Sequence, residues 1–405
     1  MILINRCTRV IFIGLVILIT IICSMVLVAC WDLEDIEIKA LVANIALDVG
    51  ELKEYKLTVQ VLLPEVLHGE GAAKAAGEGS PIFVIGAEGQ TPFEANRKLH
   101  EYVPRRPFFG NTRSVVIGEE LARQGVLPAL NILEIGHEFR RSKMIYMALG
   151  EGGRVLEVKS RIQVNPGDIP VGFMQNLPGI ATTVTQTVGD FITQVSSTTM
   201  EAVLPVVKVI EGEPEIGNNP EVRVAKTAAF KGDRLVGFLD EKESRGLLWV
   251  LGRGKIKGVL SFESPETFEI VTIEIFRNSS SIDATIDDEG RLSVDINIRT
   301  EGNLVDQTGF ANLYNPQVRR SIERRFAETV RQEIEQALDK AQKELRTDVF
   351  GFGGAFFRAY PRIWRDTLEE NWDEFFPYIA VNIYVETHVR TTNLSKEAAT
   401  VGGNR

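Results

Sequence analysis

Residues 315–345, NPQVRRSIERRFAETVRQEIEQALDKAQKEL, carry the decision about the fold. Val318, Ile322, Phe326, Val330, Ile334, Leu338, Ala341 and Leu345 recur at steps of three and four, so a helix would gather them into one apolar stripe. Asn315 supplies an N-cap and Pro316 a first-turn proline. The segments just before this stripe read as strands: Val222 to Phe230, Leu235 to Phe238, Lys255 to Phe262, Phe268 to Phe276, Ser280 to Ile286 and Arg291 to Arg299. Turns such as Lys231-Gly232-Asp233 and Asp287-Asp288-Glu289-Gly290 separate them, the pattern of an antiparallel sheet. A long helix covering that sheet gives an α+β fold, and a free partner helix is the competing reading. A final strand follows from Tyr378 to Val389, after an aromatic tail with Trp364, Trp372, Phe375 and Phe376, which reads as core packing or as an interface belt.

Toward the N-terminus, Leu41 to Val49 and the alternating Tyr55, Leu57, Val59, Val61 and Leu63 form a hairpin. Pro64 to Pro81 is a glycine-rich loop carrying Glu70 and Glu78, which would repel an anion; no phosphate-binding glycine motif can be written there. From Ile82 the chain alternates. Thr91-Pro92-Phe93-Glu94 starts a helix stopped by Pro104. Arg113 to Ile117 is a strand, Glu119 to Gln124 a helix closed by Gly125, Ala129 to Arg140 a helix, and Met144 to Leu149 a strand. Residues 38–161 are thus expected as an N-terminal α/β domain. Residues 162–213 are expected as a small middle domain, with a short helix near Asp190 to Val195 and an edge strand, Val203 to Val209, marked by Pro205. Glu211 to Pro220 is the linker candidate, and residues 221–392 form the sheet-and-helix C-terminal domain.

The first thirty residues set the location. Arg6 and Arg9 precede an apolar run from Val10 to Val28, which closes on Leu27-Val28-Ala29-Cys30. This is the order of an export signal, and a thiol directly after a small residue is what a lipoprotein signal needs. Residues 1–29 are expected to be removed after Ala29, with Cys30 carrying a diacylglyceryl group and residues 30–37 acting as tether. Two acyl chains at one residue meet the need for more than one lipid in stable anchoring. An uncleaved membrane-spanning helix is the rival reading. The loss of Arg6 and Arg9 takes the formal charge from −10 to −12, which disfavours nucleic acid and anionic lipid as partners. Of three cysteines, Cys7 and Cys23 lie in the signal, so no disulfide framework is expected.

A search for enzyme chemistry finds little. His68, His100, His137 and His388 have no metal-ligand spacing, no G-x-S-x-G occurs, and acidic pairs are too common among 55 carboxylates to be informative. Arg105-Arg106-Pro107-Phe108-Phe109-Gly110 places guanidinium and aromatic groups together. Arg105, Arg106, Phe108 and Phe109 suit a partner contact or anionic ligand, with core anchoring of the two rings as the alternative.

Six stretches carry a resemblance: Cys30-Trp31-Asp32 with its acidic tether; Arg113 to Leu121; Glu138 to Arg141; Ala229 to Gly237; Arg245-Gly246-Leu247-Leu248-Trp249; and the Phe-Gly-Phe-Gly, Pro-x-x-Trp and Trp-x-x-x-Phe-Pro blocks of the tail. In this order they resemble the Ger(x)C family, the lipoprotein C subunit of spore germinant receptors. The departures are Glu134-Ile135-Gly136-His137 and the glycine-heavy Gly150 to Gly153. The resemblance implies a three-domain α+β lipoprotein with mixed and antiparallel sheets. It implies lipid anchoring at Cys30 to the outer face of the inner spore membrane, beside integral membrane A and B subunits, and a part in spore germination without catalysis. No cofactor is expected beyond the lipid on Cys30. The alternatives are a solute-binding lipoprotein that serves a membrane transporter and, third, an envelope hydrolase.

Overall fold

The computed structural model describes residues 11–21, 24, 39–62, 82–135, 138–158, 172, 182–211, 220–252, 256, 258–266, 268–308 and 315–391. Ala29, Cys30, the tether, the whole glycine-rich loop Pro64 to Pro81 and residues 212–219 lie outside them. Residues 11–21 are helical, and among the described residues no helix is long and apolar enough to cross a membrane.

The expected α+β class holds, with two sheets. The first has nine strands: β1 (Lys39–Val49), β2 (Tyr55–Leu62), β3 (Ile82–Gly89), β4 (Arg106–Phe108), β5 (Ser114–Gly118), β6 (Met144–Ala148), β7 (Val203–Ile210), β8 (Glu221–Lys231) and β9 (Arg234–Leu239). Their order is β3-β2-β1-β5-β6-β7-β8-β9, with β4 also on β1. The centre is parallel, β1 to β5 to β6 to β7, and both ends are antiparallel. Parallel strands are buried on both faces, which explains the unbroken apolar runs at the centre. Ile45, Leu47, Val115, Ile117, Ile145 and Met147 join one core. Ala46, Val116, Tyr146 and Ala148 face the other side, against Val155 and Leu156 of the helix Gly152–Glu157.

The second sheet has β10 (Val259–Glu263), β11 (Ile270–Ile286), β12 (Leu292–Gln307) and β13 (Ala380–Thr391), in that order. Ile322, Phe326, Val330, Ile334 and Leu338 are buried with Val271, Ile273, Val294 and Ile296. The stripe of the helix Pro316–Asp339 therefore covers the sheet. Trp364, Trp372 and Phe376 of the aromatic tail are core too, whereas Phe375 is exposed: Trp364 and Trp372 ring centroids lie 5.0 Å apart, Phe356 and Trp372 5.6 Å.

Several expectations are corrected. Val203 to Val209 is an interior strand, not an edge. Pro205 is tolerated there because β6 pairs with β7 only through Met147–Val206 and Ala148–Val207, so the residue lacking an N–H lies before that ladder begins. β8 and β9 complete the first sheet rather than open the second. The run of strands is interrupted by a helix, Glu241–Leu251. Phe268 to Phe276 and Ser280 to Ile286 are one long strand, bulged between Ile275 and Arg277. β13 joins β12 in parallel, so the second sheet is antiparallel only through β12. The third helix of the N-terminal part runs Leu127–Ile135, starting and ending earlier than its periodicity indicated.

Candidate interaction site

The Arg105–Phe109 loop is built into the first sheet. Pro104 ends the helix Pro92–Tyr102, whose N-cap Thr91 accepts the Glu94 N–H, and the chain turns at once into β4. Lys39–Arg106, Ala40–Pro107 and Leu41–Phe108 are parallel partners on β1. Lys39 Nζ stands 4.6 Å from the Phe108 ring centroid, so that ring is half-buried beneath an ammonium group. Phe109 packs on the core and on Phe139, 5.9 Å between centroids. Glu138 fixes the turn: one oxygen accepts the Phe109 N–H at 3.0 Å and the other lies 3.5 Å from Arg106 Nη2. Both rings are therefore anchored, and the guanidinium of Arg106 remains exposed at the surface.

A cavity of about 240 Å³ opens beside this loop. Its floor is Ile45 and Leu57 of the sheet, and its walls include Phe109, Phe139, Ile132 and Phe93. Arg97, His100, Arg106 and Asn96 line it with Glu138. Arg97 lies over the Phe93 ring, 5.1 Å from its centroid. An apolar body could rest on this floor while a polar head meets the rim. The sequence marked Arg106 and Phe109; Phe93, Asn96, Arg97 and Phe139 were not marked, because they come from segments that meet only once β1, β4 and β5 pair.

Two other stretches behind the resemblance prove to be structural centres. Asp348 is buried, and its carboxylate accepts the N–H groups of Gly351, Phe352 and Gly353 at 2.8, 3.0 and 2.8 Å and the Trp372 indole N–H at 3.1 Å. It thereby joins the Phe-Gly-Phe-Gly block to the Trp-x-x-x-Phe-Pro block. Burial pushes its carboxyl up to about 6 against those hydrogen bonds, and burial also raises nearby Glu201. In the Arg245–Trp249 block, Arg245 Nε and Trp249 Nε1 both donate to Glu333 of the long helix. His388 lies 3.4 Å from Glu323, His100 lines the cavity, and no cluster of His, Cys, Asp and Glu that could hold a metal occurs among the described residues. Cys30 and Ala29 lie outside those residues.

Comparison with known proteins gives a consistent picture. Residues 32–209 match the model described as spore germination protein N-terminal domain, and residues 225–393 the one described as spore germination B3/GerAC like, C-terminal. Spore germination protein KC of Bacillus subtilis is 26% identical over 389 residues, covering 91% of this chain and 93% of that protein. Spore germination protein B3 of the same organism is 26% identical over 363 residues, covering 87% and 91%. The crystal structure of the GerBC protein shares the fold, with a TM-score of 0.54 at 20% identity over 85% of this chain and 96% of that one.

Proposed function

Since the chain belongs to the Ger(x)C family of GerAC-like spore germination proteins, we propose that it is a non-enzymatic, lipid-anchored subunit of a nutrient germinant receptor. Cys30 would carry the lipid and hold the body on the outer face of the inner spore membrane, next to integral A and B subunits. The observation that carries this reading is the match of both family models, in order, over nearly all the sequence that follows Cys30. The N-terminal match begins at residue 32, two residues after Cys30.

Confinement supplies the mechanism. A tethered domain meets its partners at an effective concentration set by the tether, which raises apparent affinity by about 10²–10⁴ without any new contact. Charge does not supply the attachment, because the body is acidic. The carboxylates buried deepest, Asp48, Glu333 and Asp348, each accept hydrogen bonds from backbone or neighbouring side chains within the fold, which agrees with a structural rather than catalytic use of buried charge.

The test is a Cys30→Ala chain expressed in spores in place of the native one. It should lose palmitate label, and the germination response to nutrient should fall on the order of tenfold or more. Native protein whose Cys30 thiol is unmodified by mass spectrometry would overturn the anchoring reading.

A further inference from the structure

We propose that the cleft between the helix Pro92–Tyr102 and the Arg106–Phe109 turn binds a small apolar or aromatic monocarboxylate. The cavity, about 240 Å³, has room for a ligand of roughly ten non-hydrogen atoms, below the usual range of drug-sized pockets. Its floor is the sheet itself, where Ile45 and Leu57 are 1% and 0% exposed, so the floor is rigid and already formed before any ligand arrives. The rings of Phe109 and Phe139 offer a face against which a flat or aliphatic body can lie.

The rim decides the sign of the head group. Arg97 and Arg106 stand on it, on a chain of net charge −10. Arg97 makes no ion pair among the described residues; its recorded contact is with the Phe93 ring. Glu138 is the one carboxylate among the cavity's described lining residues, and it already accepts the Phe109 N–H and faces Arg106. A cationic ligand would find only that engaged carboxylate, whereas a carboxylate ligand finds the guanidinium of Arg97 beside that of Arg106, which Glu138 already faces; the guanidinium is the group suited to planar anions. Asn96 and His100 are further polar lining residues, and Asn96 Oδ1 is buried with no partner among the described residues.

The binding is read on the chain alone and stands whether or not the chain joins a receptor. The full chain in lipid nanodiscs would be titrated with 3-phenylpropionate by calorimetry and by saturation-transfer NMR, with empty nanodiscs recording partition into lipid. Saturable binding near or below about 1 mM is expected. Arg97→Ala and Arg106→Ala should each weaken it by roughly tenfold, with Arg106→Lys recovering part of the loss. Ile132→Trp, which fills the cleft while leaving both arginines in place, should abolish it while the unfolding midpoint stays within a few degrees of wild type. The proposal is overturned by absence of saturable binding, by equal binding of the cationic analogue 3-phenylpropylamine, or by binding that persists in Ile132→Trp.

Discussion

At the scale of single residues, buried aspartates organise the fold. Asp48 accepts the N–H groups of Gly152 and Gly153, and Asp348 those of Gly351, Phe352 and Gly353. Each puts a negative group at the start of a short helix, where orphan N–H donors gather. The first of these explains Gly152 within the glycine-heavy Gly150 to Gly153: a Cβ there would press to within 3.2 Å of Ala46 Cβ and 3.3 Å of Asp48 Oδ1 and Val116 Cγ1. Asp348 titrates in reverse of an ordinary surface carboxylate. Its folded value of about 6 lies above that of an unfolded aspartate, so between pH 4 and 6 the native state binds more protons and stability falls as pH rises. Glu201, also raised, adds to the same slope. Asp348→Asn should destabilise the chain by roughly 2 kcal/mol or more at pH 7, since an amide cannot accept from four donors. In urea unfolding the gap to wild type should widen on going from pH 7 to pH 4.5. A gap that is constant or narrows toward acid would show that Asp348 is ionised throughout. The cap at Thr91 was legible because donor and acceptor lie three residues apart. Asp348 was only half so: Gly351, Phe352 and Gly353 lie three to five residues on, but its indole partner lies 24 residues away.

At the scale of elements, the helix Glu241–Leu251 and the long helix approach each other closely. Gly246 permits it: a Cβ there would collide with the Glu333 carbonyl oxygen and lie 2.8 Å from Ala337 Cβ. Beside this contact Glu333, 4% exposed, takes the Arg245 guanidinium and the Trp249 indole N–H at 2.9 Å. Removing one member of such a buried pair leaves the other charged and unpartnered. Glu333→Leu should therefore cost roughly 3–5 kcal/mol, and the double variant Arg245→Met with Glu333→Leu clearly less than the sum of the two single variants. Chemical denaturation of the four species measures the coupling, and additive losses would remove it. The long helix was readable because its stripe repeats over eight turns' worth of local spacing. Its partner was missed, although Asp240 and Glu243 form a capping box that the sequence displays as D-x-x-E. The reason is that Leu247 to Leu251 is a continuous apolar run, which periodicity alone cannot assign to helix or strand. The candidate cleft was half legible for a related reason. Its loop announced itself by composition, whereas its floor and opposite wall depend on strand pairings far apart in sequence.

At the scale of the whole molecule, the main surprise is that one sheet runs from residue 39 to residue 239, past the point at which composition indicated a linker. Hairpins were readable, since turn and alternation are local, but which strands share a sheet is set by long-range pairing that no window of sequence contains. The two matched family regions meet between residues 209 and 225, yet β7 and β8 on either side pair over eight positions from Val203–Ala229 to Ile210–Glu221. β8 and β9 also give the first core Ala228, Phe230 and Leu235. Phe230 sits edge-on to Phe191, 5.2 Å between centroids. A fragment of residues 31–211 would lose these side chains and leave β7, apolar along most of its length, as an open edge. Such an edge is a template for intermolecular pairing. We therefore expect that fragment to be recovered mainly as aggregate, while one of residues 31–240 keeps a soluble fraction several-fold larger and unfolds cooperatively by circular dichroism. If the shorter fragment is equally soluble and equally cooperative, the last two strands are not part of the N-terminal core in any energetic sense, and the continuity of the sheet has no bearing on how the body folds.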